Sequence, residues 1–477
     1  MSHALIEQLR TLVGPTHVLT HDDPAADLTA WEQDWRRRVR GTALAVVRPA
    51  TTAEVAAVVK ACAQAGTAIV PQGGNTGLVV GSTPDTTGTQ VVLSLTRMNA
   101  VRSIDKDNLT MTVEAGSILQ NVQDAADQAG LLFPLSLAAE GSCTIGGNLG
   151  TNAGGTQVVR YGNARELCLG LEVVTAQGEI WNGLSGLRKD NTGYDLRDLF
   201  VGSEGTLGVI TAATLKLYPQ PAARLTAWAA VPSMEQAVQL LGLAHQSLGA
   251  GLTGFEVMGQ FALSLVGKHM PQLRVPFLGQ ADAPWCVLLE NSDSESEEHA
   301  RSRFEALLEA SMEAGCVTDA VVAENLTQAH QLWHIRESIP LAQAEEGLNI
   351  KHDISVPISR IPAFVTHTDA VLQRAIPGVR LVNFGHLGDG NLHYNVQAPA
   401  EGDPKAFLAA HEEQVHQLVY DAVAEFNGSF SAEHGIGALK AEKLEHYQSP
   451  TALAMMHAIK RALDPQGIMN PGRVVRV

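Results

Sequence analysis

The spacing of apolar and polar positions divides the chain into differently built parts. Residues 43–49 read as a strand. Across residues 51–66, Val55, Val58, Val59 and Cys62 recur at helical spacing, which predicts a helix with one apolar face. Residues 67–70 form a short apolar run that leads directly into a glycine-rich loop. Residues 91–95 and 110–114 predict further strands, and 118–129 a helix stopped by Gly130. Residues 168–181 read as a hairpin turning near Gln177-Gly178, and 205–218 are β-rich. The pattern changes after Pro219-Gln-Pro221, which marks a boundary. Helices are expected beyond it at about 233–246, 294–314, 406–427 and 451–463, the last ending at Asp464-Pro465. The strand and helix alternation of the first third is that of an α/β or α+β unit.

Composition narrows the function. The 33 Lys+Arg against 50 Asp+Glu give a formal charge of -17, which repels phosphate polymers and anionic membranes, so nucleic acid is not expected as a partner. No basic segment followed by an apolar core opens the chain, and no run of about 18 apolar residues occurs, so neither a secretory signal nor a transmembrane segment is expected. The five cysteines are widely spaced with no CxxC pair, which argues against disulfides or a cysteine zinc site. A reduced, cytoplasmic protein is expected.

Glycine is the unusual component: 44 residues, about 9% against a background of roughly 7%. Much of the excess falls in clusters at 71–77, 141–155 and 202–208, interleaved with Asn, Ser and Thr. Such loops turn backbone N–H groups inward as an anion nest, and only glycine takes positive φ and close backbone approach without cost. A pyrophosphate suits such a site. No GxGxxG follows a strand and no GxxxxGK[ST] occurs, which disfavours Rossmann and P-loop domains.

The motifs Pro71-Gln-Gly-Gly-Asn-Thr-Gly-Leu78, Gly141-Ser-Cys-Thr-Ile-Gly-Gly147, Thr151-Asn-Ala-Gly-Gly155, Leu187-Arg-Lys-Asp-Asn-Thr-Gly-Tyr194 and Gly202-Ser-Glu-Gly-Thr-Leu-Gly208 resemble the FAD-binding domain of the vanillyl-alcohol oxidase superfamily. The resemblance implies that Pro71, Gln72, Gly73, Gly74, Asn75, Thr76, Gly77 and Leu78 cradle the FAD pyrophosphate. It implies that Gly141, Ser142, Thr144, Gly146, Gly147, Asn148, Thr151, Asn152 and Gly155 line the flavin and its diphosphate. Glu204, Gly205, Gly208 and Ile210 would add the third motif's contacts. Asn470, in Asn470-Pro-Gly-Arg473, would come from a C-terminal end that folds back to the flavin. Covalent relatives carry a histidine where this chain has Asn75, so non-covalent FAD is expected.

A second informative region is Asn383-Phe-Gly-His-Leu-Gly-Asp-Gly-Asn-Leu-His-Tyr-Asn395. Asp389-Gly390 predicts a two-residue hairpin turn, which would set His386 opposite His393 and Leu387 opposite Leu392. Directly opposed Cβ atoms lie about 4.5–5.5 Å apart, a spacing that suits two imidazoles on one metal. Asn395 falls on the same face as His393. In Ser431-Ala-Glu-His-Gly-Ile-Gly437, Glu433 offers a carboxylate to such a site and His434 a proton acceptor.

Both segments resemble the substrate domain of the FAD-dependent D-2-hydroxy-acid dehydrogenases. The resemblance implies His386, His393 and Glu433 as ligands of Zn2+ or Mn2+, with His434 as catalytic base. It places Arg336 and Lys351 on a substrate carboxylate, and Asn395 in the same pocket. Family members that act on D-2-hydroxyglutarate often carry a hydroxyl residue four positions after the arginine, where this chain has Pro340. The expected reaction is oxidation of a D-2-hydroxy acid to the 2-oxo acid, with D-2-hydroxyglutarate the leading substrate and D-lactate the alternative. A flavoprotein oxidase and a flavin-free zinc hydrolase are the rivals. The expected electron acceptor is an electron-transfer flavoprotein or a quinone, and the expected assembly a homodimer. The implied fold is α+β. It comprises an N-terminal helical segment (1–39), a two-part PCMH-type FAD-binding domain (40–220), an antiparallel-sheet substrate or cap domain (221–425) and a C-terminal segment (426–477).

Overall fold

Thr51 caps the first long helix: its hydroxyl accepts the Glu54 N–H at 3.1 Å. The helix Thr52–Ala65 ends where Gly66 turns left-handed at φ 63°. Val55, Val58, Val59 and Cys62 form its buried face, as the spacing predicts. The structure, a computed structural model, describes residues 2–23 and 26–476. It has two compact units. The first runs to Gly154, resumes at Gly162–Gln220 and takes up the chain again from Glu433; the second comprises Gly155–Tyr161 and Pro221–Ala432. One division therefore falls within the Pro219-Gln-Pro221 signal. The other lies at 432/433 rather than 425/426, and the residues before 40 belong to the first unit.

The first unit contains a four-stranded sheet in the order Val18–Leu19, Ala43–Val47, Gln90–Ser94, Ile69–Gln72, whose last three strands are parallel. Its five-stranded sheet is antiparallel, in the order Val101–Asp105, Thr110–Glu114, Gly208–Lys216, Cys168–Thr175, Ile180–Gly183. The hairpin expected at 168–181 forms, with Gly178 at φ 73°. The chain end is built in: Met469 bridges Ile69, and the Asn470 N–H donates to the Ile69 carbonyl at 2.7 Å. Buried Lys460 holds this end through Asp464 Oδ2 at 2.6 Å and the carbonyls of Thr206 and Met469 at 2.7 and 2.8 Å.

The second unit is built on an eight-stranded antiparallel sheet. Four of its strands matter for function: β1 (Leu252–Gly259), β2 (Asp353–Ser355), β3 (Arg380–His386) and β4 (Asn391–Gln397). β3 lies between β1 and β4, and β2 pairs with β4. Helix α1 (Leu326–Glu346) packs Leu332, Ile335 and Ile339 into a core with Trp228, Met258 and Phe384. Helix α2 (Pro404–Glu425) begins under an Asp403 cap whose carboxylate accepts the Lys405 N–H at 2.9 Å.

Candidate active site

The three glycine clusters meet in the first unit. They line an open cleft of about 940 Å³, part of it open to solvent. Every residue from Pro71 to Gly77 lines it, with Thr144, Gly146, Gly147, Asn148, Thr151, Glu204, Gly205, Gly208 and Ile210. Leu78, Gly141, Ser142, Asn152 and Asn470 do not line it, and Gly155 lies in the other unit. Sequence reasoning missed Val79, Gly81, Ser82, Leu95, Ala115 and Val209, which also line the cleft. Their only signal is position, next to the glycine motifs or at the ends of the strands leading into them.

In the first two clusters close approach, more than positive φ, explains Gly73, Gly74 and Gly146, whereas a Cβ on Gly77, Gly141 or Gly150 would meet nothing within 4 Å. None of their glycines has positive φ, and the left-handed residues are Asn75 at 53° and Asn152 at 50°. A Cβ on Gly74 would lie 2.1 Å from the Ser142 carbonyl oxygen, and one on Gly73 would lie 2.2 Å from Thr144 Oγ1. Part of the second cluster is also helical, Ile145–Gly150, where the sequence suggests only loop. Asn75 Nδ2 donates to the carbonyls of Ala30 and Gln33 at 3.0 and 2.9 Å, and its Oδ1 accepts from Ser82. The cleft fits a polar cofactor: Thr144 Oγ1 is buried in its wall with no hydrogen-bond partner in the protein, an atom that a ligand would satisfy.

Glu204 joins this cleft to the segment that carries His434. Glu204 Oε1 accepts the Ile436 N–H and Oε2 the Gly437 N–H, both at 2.7 Å. Asn470 Nδ2 donates to the Glu204 carbonyl at 2.7 Å. Gly435 and Gly437 turn at φ 80° and 52°, and His434 lines the cleft. The Glu204 carboxylate, expected to contact cofactor, thus holds the His434 loop by its backbone. Burial pushes this carboxyl up to about 6, against the two N–H donors and Lys440, which pull it down. A carboxyl raised in this way stabilises the fold in its neutral form. That contribution is complete below the ordinary value of 4.5 and is lost as pH rises through about 6. Relative to Glu204→Gln, which does not titrate, wild-type stability is expected to fall by about 2 kcal/mol across this window. Thermal unfolding of both proteins across the window checks this; parallel curves would contradict it.

In the second unit the histidine hairpin forms with a different register. β4 places His393 opposite Phe384, two residues from the expected His386. The connection is a 3-10 turn, Leu387–Asp389, followed by Gly390 at φ 85°, instead of a two-residue turn, so Leu387 sits in the turn and does not pair with Leu392. Asp389 Oδ1 accepts the Asn391 N–H at 3.1 Å and fixes that turn. A slip of two preserves the face, whereas a slip of one would reverse it. His386 and His393 accordingly remain together, ring centroids 5.4 Å apart and planes at 78°.

Directly across the sheet from His386 is Glu256 on β1, a residue the sequence reading missed. It is fully buried, and its Oε1 lies 2.6 Å from His386 Nδ1. Arg336, on α1, donates from Nε to Glu256 Oε2 at 2.7 Å. Its Nη2 lies 2.7 Å from the same oxygen without hydrogen-bond geometry, and its guanidinium lies 5.0 Å from the centre of the Phe384 ring. Burial would push the Glu256 carboxyl up, but His386 and Arg336 override it and hold it below the ordinary carboxylate value. Lys351 is exposed, between Asn349–Ile350 and β2. Asn395 is buried, with its amide committed to protein: Oδ1 accepts the His352 N–H at 3.0 Å and Nδ2 donates to Gln343 at 2.9 Å.

Comparison with known proteins agrees with both units. Residues 43–183 match the family described as FAD binding domain, and residues 220–474 match FAD linked oxidases, C-terminal domain. The D-2-hydroxyglutarate dehydrogenase of Xanthomonas citri pv. viticola is 41% identical over 449 residues, covering 94% of this chain and 93% of that protein. The mitochondrial D-2-hydroxyglutarate dehydrogenase of Arabidopsis thaliana is 38% identical over 442 residues, covering 93% of this chain and 77% of that one. The solved structure of p-cresol methylhydroxylase with substrate bound shares the fold, with a TM-score of 0.76 at 17% identity over 99% of this chain and 97% of that one. With the glycine-lined cleft in one unit and the paired histidines in the other, the chain belongs to the D-2-hydroxyglutarate dehydrogenase family of FAD-linked oxidases.

Proposed function

We propose that the protein oxidises D-2-hydroxyglutarate to 2-oxoglutarate, with non-covalent FAD in the glycine-lined cleft and a divalent metal on His386, His393 and Glu433. The observation that carries this reading is the His386–His393 pair with Glu256 behind it. A carboxylate on Nδ1 makes Nε2 the lone-pair nitrogen of His386, the arrangement of metal-binding histidines. Ala432, whose N–H donates to the Asp353 carbonyl at 3.3 Å, immediately precedes Glu433 in the chain, and Asp353 pairs with His393. The donor set of two imidazoles and one carboxylate suits Zn2+, with Mn2+ the other candidate. When bound, FAD supplies the hydride acceptor and the metal a Lewis acid that acidifies the substrate hydroxyl.

The side chains divide the remaining work. His434 takes the hydroxyl proton at its lone-pair nitrogen. Arg336 holds a substrate carboxylate with the donors that Glu256 leaves over, and Lys351 supplies a second cation. Asn395 acts through the backbone of His352, next to Lys351. The amide of Asn75, with both ends committed to protein, accords with FAD held without a covalent bond. An electron-transfer flavoprotein or a quinone is the proposed acceptor, a homodimer the proposed assembly and the cytoplasm the proposed location, in keeping with five free, buried cysteines.

Pro340 supports D-lactate as the second reading. It lies one helical turn beyond Arg336 and offers no hydroxyl to a second carboxylate. Steady-state rates on a panel of D-2-hydroxy acids with an artificial electron acceptor separate the two. D-2-hydroxyglutarate is expected to be the best substrate, with turnover lost in the presence of a chelator and restored by Zn2+ or Mn2+. A preference for D-lactate would overturn the substrate, and chelator-resistant turnover would overturn the metal.

A further inference from the structure

Glu256 is an acid inside an apolar strand. Its neighbours Phe255, Val257 and Met258 are all buried, and an unpaired charge among them would be strongly destabilising. It is compensated by two groups, one on each oxygen: His386 Nδ1 on Oε1 at 2.6 Å and Arg336 Nε on Oε2 at 2.7 Å. We propose that Glu256 is a positioning residue that fixes the proposed metal ligand and the proposed substrate anchor through one carboxylate. The inference rests on the metal-dependent hydroxy-acid reading above.

The argument is geometric. β1 and β3 pair Glu256 with His386 in register, so the backbone already brings the two side chains together. Accepting from Nδ1 sets the tautomer and the plane of the His386 ring and leaves Nε2 as the ligand nitrogen. Accepting from Nε pins the Arg336 guanidinium from its inner edge and turns its outer edge away from Glu256. Because the two oxygens belong to one rigid group, the ligand and the anchor cannot shift independently. Metal affinity and substrate binding then depend on the same carboxylate.

Glu256→Gln tests this with little change of shape. A glutamine offers one acceptor and one NH2, so it satisfies His386 or Arg336 but turns a donor on the other. On the FAD-loaded protein, the Kd for Zn2+, measured by competition with a chromophoric chelator, is expected to rise about ten- to a hundredfold. KM for D-2-hydroxyglutarate is expected to rise as well, with flavin absorbance per protein unchanged. If wild type binds no Zn2+, the metal reading itself fails. If wild type binds Zn2+ and Glu256→Gln binds it equally well with unchanged KM, the role of Glu256 is overturned. Glu256→Asp keeps the charge but is one methylene short. Should the glutamine variant fail to fold, the aspartate variant is expected to lose at least tenfold in Zn2+ affinity or in KM, and wild-type values for both would overturn the proposal.

Discussion

Replacing His434 with alanine is expected to lower kcat on D-2-hydroxyglutarate by about 10²–10⁴-fold, the scale of a positioned general base. The imidazole is the proposed proton acceptor, and alanine offers no lone pair in its place. FAD is expected to stay bound. The loop that carries His434 is held through the backbone N–H groups of Ile436 and Gly437, both on Glu204, and neither bond involves the imidazole. Steady-state turnover with an artificial acceptor, together with flavin absorbance per protein, checks both halves. Wild-type turnover, or loss of flavin, would contradict the assignment.

Gly74→Ala is expected to yield protein largely free of FAD. The added Cβ would lie 2.1 Å from the Ser142 carbonyl oxygen and 3.1 Å from Cys143 Cα. Both obstacles are backbone and cannot rotate away, so the first and second glycine loops must separate. Overpacking of this kind costs about 1–3 kcal/mol. If the strain falls on the cofactor-binding form, FAD affinity drops by about ten- to a hundredfold. Titrating the apoprotein with FAD and following flavin fluorescence measures this; unchanged affinity would show that the two loops move apart without disturbing the cleft.

These two cases show where the sequence was legible. Gly73 and Gly74 marked the cleft because the close approach of the Thr144 side chain to one and of the Ser142 backbone to the other leaves no room for a Cβ, and so leaves a compositional trace. The reason for the glycines was not legible: which residues turn left-handed depends on the folded loop, and Asn75 and Asn152 take that role. Alternation placed His386 and His393 on one face, since a period of two survives a register shift of two. It could not count the residues in the turn, which the 3-10 segment Leu387–Asp389 decides. Helix α1 left a weak trace because its buried side includes the polar Arg336 and Gln343 and its interior carries Pro340. Glu256 had a signal, a single acid in Leu252-Thr-Gly-Phe-Glu-Val-Met-Gly259, but its two partners are 80 and 130 residues away and only the fold brings them to it.

The first unit is assembled from three separated lengths of chain, and this sets a timetable for making it. All three glycine clusters leave the ribosome long before the residues that brace them, Ile436 and Gly437 on Glu204 and Met469 on Ile69. At about 5–20 residues per second, the wait between Gly208 and Ile436 is about 10–50 s. The second unit needs only Gly155–Tyr161 and Pro221–Ala432, so its chain is complete first. Cofactor capture is therefore expected only once residues 433–470 have been made, and a nascent chain stalled before them would carry the glycine loops without these braces.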